Sequence, residues 1–379
     1  MATLAPATFL AFTQPADLLV QNFTAPARDA FAPVARAPRQ AAAAMSTTLR
    51  SRRPSTIKPL LDRRIVITGA SSGIGAAAAH QIAANGGTVL LVARSLDKLL
   101  EVKESIEADG GTAFAYPCDI TDGDAVDRLI DQLVHDHGTI DMLVNNAGRS
   151  IRRSIALSHD RFHDFERTMS LNYFAAIRLI LGLLPHMKAN GFGHVVNISS
   201  IGVQTSAPRF SAYVASKAAL DAFSDVVATE TLGSGVTFTT IHMPLVRTPM
   251  IAPTTMYDAF PTLSPEEAAN LVVRALVKRP VEIGTPVGTF GELMHALAPK
   301  ITDRILHQAY KAFPDSLAAQ GEQTQGEQTQ GTKAQDNNTK SPGLSRRTLL
   351  LARASRLART QPLSGTATAM MRLLPGIHW

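Results

Sequence analysis

From Arg64 onward, short apolar runs rich in β-branched residues alternate with longer segments of mixed polarity. "RIVITG" predicts a first strand, and "SGIGAAAAHQIAANG" a helix closed by Gly86 and Gly87. "TVLLVAR" reads as a second strand, "SLDKLLEVKESIEADGG" as a helix and "TAFAYPCDI" as a third strand. "DGDAVDRLIDQLVHDHG" is the next helix and "IDMLVNNAG" the fourth strand. Further strands are expected near 193–199 and 236–242, with a helix around 211–232 between them. The last strong helix, "SPEEAANLVVRALVKRP", opens with Ser264 as N-cap, Pro265 in the first turn and Glu267 three residues on. "VEIG" completes the set as an edge strand. Strands alternating with helices of this length build βαβ units. The predicted fold is therefore α/β: a single Rossmann-type, doubly wound parallel sheet of about seven strands with helices on both faces.

The pattern also delimits the domain. Residues 1–60 are rich in Ala and Pro without a sustained period, and are read as a disordered extension or an over-extended start, with Met45 or later as the true beginning. The stretch lacks the positive n-region of a secretory signal, its first basic residue being Arg28. Its acid-poor texture also fits a transit peptide. The nucleotide-binding domain is placed at 61–290 and a helical extension at 291–320. A linker follows at 321–342, containing Gly-Glu-Gln-Thr-Gln twice in tandem, and then a basic, helix-prone tail at 343–379. In that tail the pairs Arg346/Leu350 and Arg353/Leu357 share faces, so its charges are not segregated from its leucines as an interfacial helix requires.

Charge changes the picture when it is divided. Residues 1–64 hold nine Lys/Arg against three acids, and seven Lys/Arg follow Asp336 with no acid. Of the 37 basic and 31 acidic residues, 65–336 therefore keeps 21 and 28, a net −7. An acidic body argues against nucleic-acid binding by the domain itself. Cys118 is the only cysteine, which excludes a disulfide framework and a cysteine-built zinc site and points to a reducing compartment, hence a cytoplasmic location. No metal site is expected. No uncharged apolar run reaches the roughly 18 residues of a membrane span.

The first strand runs into Gly69, Ser71, Ser72, Gly73, Ile74 and Gly75, then a helix. Glycines in such a turn let the backbone approach a pyrophosphate seated on the helix N-terminus. An NAD enzyme carries an acidic residue at the end of the second strand, on the ribose diol. Here Arg94 stands 19 residues after Gly75, and a guanidinium suits a 2′-phosphate, favouring NADPH. Asp119 and Ile120 fit the adenine pocket, with neighbouring Cys118 read as packing. Asn146, Ala147 and Gly148 end the fourth strand at the carboxyl edge of the sheet, where ligands bind in such folds.

Tyr213 and Lys217 lie four apart on one predicted helix face, so an ammonium is placed near a phenol. A nearby cation favours the phenolate and makes the tyrosine a usable proton donor to a carbonyl. Ser199 and Ser200 close the preceding strand, and on chemistry alone either hydroxyl is able to bind the same oxygen.

Thr-Gly-x-x-x-Gly-x-Gly, Asn-Asn-Ala-Gly, Ser and Tyr-x-x-x-Lys in this order resemble the short-chain dehydrogenase/reductase family over about residues 62–285. The resemblance implies that Ser200 rather than Ser199 acts, that Tyr213 is the acid/base, and that Lys217 lowers its pKa and holds the ribose. It implies a water-mediated proton relay through Asn172, and a nicotinamide loop containing Pro244, Val246 and Thr248. Leu245 departs from the glycine many relatives carry after the proline, which puts the shape of that loop in question. A homo-oligomer is also implied.

Longer blocks, "NNAGRSIRRSI", "DRFHDFERTMSLNYF", "RFSAYVASKAALDAFS", "MPLVRTPMIAPT" and "LLPGIHW", are similar to bacterial fatty acyl-CoA reductases that make aldehydes for wax esters. The implied partner is long-chain acyl-CoA, with a peripheral membrane contact compatible with a lipid substrate. Arg149, Arg152 and Arg153 then suit the CoA phosphates or form a solvated surface. Met250, Met256 and Phe260 suit an acyl channel or ordinary packing. The same catalytic residues also serve a carbonyl reductase acting on a free aldehyde, ketone or 3-oxoacyl chain. A non-catalytic nucleotide-binding scaffold is the reading of a different class, and the intact Asn172, Ser200, Tyr213 and Lys217 set argues against it.

Overall fold

The computed structural model describes residues 58–251, 261–313 and 315. Most of the N-terminal extension, the tandem pentapeptide, the basic tail, Met256 and Phe260 lie outside the described residues. Seven parallel strands stand in the order β3-β2-β1-β4-β5-β6-β7. They are β1 Arg64–Thr68, β2 Thr88–Ala93, β3 Thr112–Pro117, β4 Met142–Asn145, β5 Gly193–Ile198, β6 Val236–Ile241 and β7 Glu282–Ile283. The third strand is shorter than its apolar run, because Asp119 turns the chain by accepting from the amide and hydroxyl of Thr121 at 3.0 and 2.7 Å.

Side chains alternate faces along a strand, and both faces here are covered. Ile65 and Ile67 of β1 pack with α1 (Gly73–Ala84), α2 (Leu96–Ala108) and α7 (Pro265–Lys278). Val66, between them, faces α3 (Gly123–His137) and α4 (Phe162–Ala189) on the other side, with part of α6 (Ser211–Glu230). That is why the central strands read as unbroken apolar runs rather than as alternation. The short α5 covers Ile201–Thr205, and α8 (Pro286–Leu297) and α9 (Pro299–Ala312) follow β7.

Helix α4 has the length and hydropathy of a membrane span, but its Leu179, Ile180, Leu183 and Met187 are buried in the domain core. It is a core helix by its packing. Its middle, Ser170–Phe174, widens into a π-helical turn. The capping box of α7 is formed as the spacing predicts: Ser264 Oγ accepts from the Glu267 amide at 3.1 Å, and Glu267 Oε2 accepts from the Ser264 amide at 2.7 Å.

The strand order reverses between β1 and β4, so the connections out of these two strands depart to opposite sides. A crevice opens there at the carboxyl ends of the strands. Everything described next stands in it.

Candidate active site

The crevice is a cleft of about 1650 Å³. Its floor at one end is the turn between β1 and α1. Gly69 adopts φ +66°, and a Cβ added to Gly75 would lie 2.2 Å from the Gly69 carbonyl oxygen. Glycine is required at both positions by the backbone alone. Ser72, at the N-cap of α1, makes no capping hydrogen bond, and the first turn carries no acid. The N-terminal amides of α1 are thus left to an anion. Asn146 braces the turn rather than reaching across the cleft: its Nδ2 donates to the Thr68 carbonyl at 2.9 Å and the Gly69 carbonyl at 3.3 Å. Thr68 Oγ1 in turn accepts from the amides of Asn146 and Ala147, each at 3.0 Å.

Ser71, Gly73, Ile74, Arg94, Asp119, Ile120, Ala147 and Gly148 all line this end, as does Lys98, which the sequence reading did not single out. Lys98 lies one turn after Arg94, at the start of α2. Hydrogen bonds from Thr121 hold the Asp119 carboxyl below its ordinary value, with a smaller contribution from Arg94. Cys118 is buried, and burial pushes its thiol up, as does the charge of Asp119. A buried, protonated thiol is packing, as its position at a strand end suggests.

At the other end stand Ser200, Tyr213, Lys217 and Asn172. Ser200 caps α5, its Oγ accepting from the Gly202 amide at 3.0 Å, and lines the cleft. Ser199 also borders the cleft, yet its hydroxyl is committed elsewhere, donating to Asp221 Oδ2 at 2.7 Å. Of the two hydroxyls, that of Ser199 is paired with a carboxylate, whereas that of Ser200 stands beside Tyr213. Lys217 is buried, and its Nζ donates to the Ile198 carbonyl at 2.6 Å. Burial pulls its pKa down to about 8, against the charge of Asp221, which supports the ammonium.

Tyr213 departs from the simple expectation. Burial pushes its phenol up from the ordinary value, a hydrogen bond with Ser200 opposes this, and Asp221 adds to the rise. Desolvation outweighs the help from Ser200, and the Lys217 ammonium is directed at the strand carbonyl. A group that stays protonated across the neutral range is still able to donate a proton.

Asn172 occupies the π-helical turn and is buried. Its Nδ2 donates to the Arg149 carbonyl and to Ser216 Oγ, both at 2.9 Å, while its Oδ1 accepts from the Arg149 amide at 2.8 Å. Ser216 Oγ donates onward to the Tyr213 carbonyl at 2.7 Å. Both amide protons are therefore used, and Asn172 is a brace between the Arg149 loop and the helix of Tyr213. The π turn is the local device that turns Asn172 inward from a helix otherwise of 3.6 period.

Pro244, Val246 and Thr248 line the cleft beside Gly73. Leu245 needs no left-handed conformation; its carbonyl accepts from the Leu263 amide at 2.9 Å, and the Arg247 amide returns a bond to Leu263 at the same distance. The loop is thus pinned at both ends of the segment that lies outside the described residues. Met250 is half-exposed beside the cleft. Arg152 and Arg153 line the cleft and are held by the fold: Arg152 Nη2 donates to the Phe313 carbonyl at 3.4 Å, and Arg153 Nε lies 3.3 Å from Asp164. Arg149 is the exposed member of the three. Arg94, Lys98, Arg149, Arg152, Arg153, Arg167 and Lys217 line the cleft against Asp119 and Glu166 among the described residues. A dinucleotide with an extra phosphate fits this arrangement: glycine turn, uncapped helix end, then guanidinium and ammonium.

Such a sheet, with Ser, Tyr and Lys at the floor of the crevice and glycines at its phosphate end, defines a class of nucleotide-dependent oxidoreductases. The short chain dehydrogenase family model matches residues 63–257, and the chain belongs to that family. The chain is 57% identical over 258 residues to a fatty acyl-CoA reductase of Acinetobacter baylyi, covering 68% of this chain and 88% of the relative. It is 47% identical over 250 residues to a fatty acyl-CoA reductase of Mycobacterium tuberculosis, covering 66% and 85%. Among solved structures, a metagenomic short-chain oxidoreductase in complex with NADP is 27% identical, with a TM-score of 0.52 over 60% of this chain and 98% of that one.

Proposed function

We propose that the protein is an NADPH-dependent reductase that converts long-chain fatty acyl-CoA to the fatty aldehyde and free CoA. The observation that carries the reading is the meeting of two features in one cleft: the hydroxyls of Ser200 and Tyr213, and a flank of cations that suits two phosphate-bearing molecules. The relatives of A. baylyi and M. tuberculosis support the thioester as substrate.

Bound NADPH supplies a hydride to the carbonyl carbon. The chain supplies the rest. Gly69, Gly73 and Gly75 admit the pyrophosphate, Arg94 and Lys98 take the 2′-phosphate, and Lys217 holds the ribose. Ser200 donates a hydrogen bond to the thioester oxygen, and Tyr213 gives it a proton as negative charge develops there. The product of that step is a hemithioacetal. Its collapse breaks the carbon–sulfur bond, returns the hydroxyl proton to Tyr213, and releases CoA after the thiolate takes up a proton. The cysteine-dependent route of an acylating aldehyde dehydrogenase requires a reactive thiolate, and the chain's single cysteine is buried with its thiol pKa raised, at the adenine end. In this reading Arg149, exposed at the edge of the cleft, meets the CoA phosphates, and half-exposed Met250 meets the acyl chain.

The test follows NADPH oxidation with palmitoyl-CoA while free thiol and aldehyde are quantified in the same reaction. One thiol and one aldehyde per NADPH are expected. In Tyr213→Phe, turnover should fall about 10³-fold, the scale of general acid catalysis, with NADPH binding retained. NADPH oxidation without thiol release, but with free ketones or aldehydes as acceptors, would assign the protein to carbonyl reduction instead.

A further inference from the structure

Behind the catalytic groups lies a second set of charged side chains that the reaction as described does not use. Asp221 stands one helical turn after Lys217 on α6. Its Oδ2 accepts from Ser199 Oγ at 2.7 Å and lies 3.1 Å from His242 Nε2. His242 follows β6, and its Nδ1 lies 2.8 Å from Glu282 Oε1 on β7. Gln204 of α5 donates from Nε2 to Glu282 at 3.2 Å and to Glu292 of α8 at 3.3 Å. Asp221, His242, Glu282, Gln204 and Glu292 line a cavity of about 250 Å³, together with Asp225 of α6 and His295 of α8.

The connections run to the reacting groups from two sides. Through Ser199, Asp221 grips the end of β5, and Ser200 is the next residue. Through α6, it shares a helix with Tyr213 and Lys217. The His242 backbone is joined to β7 by its amide, which donates to the Ile283 carbonyl at 2.8 Å, and the adjoining Met243 carbonyl accepts from the Ile201 amide at 3.0 Å. Asp221 thus links the strand carrying one hydroxyl to the helix carrying the other, and its charge is balanced by His242 from the far side.

We propose that Asp221 is a positioning residue of the reductase: it ties the Ser199–Ser200 strand end to the helix of Tyr213 and Lys217, and places a carboxylate one turn behind the Lys217 ammonium. Asp221 does not line the nucleotide cleft, and acts through Ser199 and Lys217. The inference rests on the catalytic roles proposed above for Ser200, Tyr213 and Lys217, and not on which carbonyl compound is reduced.

The two actions separate by substitution. Asp221→Asn keeps an acceptor for Ser199 and removes the charge. The buried Lys217 ammonium then loses its support, so its pKa falls further from about 8. Ser199→Ala does the converse, releasing the strand end while leaving the carboxylate in place. Asp221→Glu keeps the charge. The readout that needs no turnover is the pH dependence of NADPH affinity, followed by nicotinamide fluorescence between pH 6 and 9.5; the second readout is the pH profile of kcat/KM with a carbonyl or thioester substrate.

In Asp221→Asn, the pH above which NADPH affinity declines should drop by about one unit, and the alkaline limb of kcat/KM should drop with it. Asp221→Glu should restore both. Ser199→Ala should lower kcat about 10-fold with KM for NADPH and the alkaline limb unchanged. A folded Asp221→Asn variant whose NADPH affinity follows the wild-type pH curve would overturn the charge support of Lys217, whatever happens to kcat. If that variant does not fold, wild-type kcat in Ser199→Ala would overturn the tether. Wild-type protein that binds NADPH yet turns over none of the substrates would sink the function proposed above, while the fluorescence comparison would still decide the role of Asp221.

Discussion

On the proposed reading, a single side chain, Arg94, decides between cofactors. It sits at the end of β2, where a carboxylate would pair with the diol of an unphosphorylated ribose and repel a 2′-phosphate. A guanidinium reverses both preferences, since it offers a fork of donors to phosphate and no acceptor for the diol hydroxyls. Arg94 is exposed, and so is Lys98 one turn on. Their contributions are therefore screened by salt. Arg94→Ala should weaken NADPH about 10- to 100-fold, corresponding to loss of a charge-assisted pair of roughly 1.5–3 kcal/mol, and should leave NADH affinity nearly unchanged. Parallel titrations of both nucleotides decide it: equal losses would show that Arg94 braces the loop rather than reading the phosphate. The position of Arg94 was legible from its distance along the chain to the glycine turn. Lys98 was not, because helix α2 begins between the two residues and only the turn of that helix brings the ammonium back to the cleft. Ser199 and Ser200 are likewise indistinguishable as letters, and separate only when the pleat sends one hydroxyl to Asp221.

At the scale of elements, the parts that read correctly from sequence are those specified locally. The strands are β-branched runs bounded by glycine and polar residues, and the capping box of α7 is a four-residue pattern that closes on itself. The π turn in α4 is the contrary case. Nothing in "SLNYF" breaks a helix, and the wider turn is selected by what Asn172 finds on facing inward, namely both backbone groups of Arg149 and the Ser216 hydroxyl. It is a tertiary fact written onto a helix. The β1–α1 turn lies between these extremes, with glycines visible in sequence and their necessity visible only in space. A methyl group at Gly75 would meet the Gly69 carbonyl, part of a backbone that Asn146 already holds from the other side. Gly75→Ala should therefore displace the turn, lower stability by about 1–3 kcal/mol, and raise the NADPH Kd by more than tenfold. Thermal melts with and without NADPH measure both effects. A variant that melts and is stabilised by NADPH like the wild type would mean that the turn has slack not present in this arrangement.

For the whole domain, the question is how folding stability follows pH, and His194 governs one window of it. The imidazole lies fully buried near the start of β5, between Thr237 Oγ1 at 2.9 Å from Nδ1 and Thr239 Oγ1 at 3.3 Å from Nε2. Burial, aided by the Arg279 charge, pulls its pKa down to about 4 from the ordinary 6.5. Below pH 6.5 the unfolded chain takes up a proton that the folded chain refuses, so stability falls with pH until about 4, by about 3 kcal/mol if the full difference is realised. His242 works in the opposite sense and in another window. Burial lowers its pKa, but Asp221 and Glu282 together outweigh burial and raise it, so its contribution is fully present below 6.5 and is lost only as pH rises above that value. The lowered carboxyl of Asp315 loses its contribution below the ordinary carboxylate value, near the acid end of the His194 window. His137, pulled down by burial, adds to the His194 effect with the same sign. Urea unfolding at pH 6, 5 and 4.5, below the window of His242, should show a midpoint that declines steadily across this range. His194→Asn should be less stable at pH 7, having lost buried contacts, yet should show a much shallower decline. Parallel declines in the two proteins would place the acid sensitivity on other groups and leave His194 with a packing role alone.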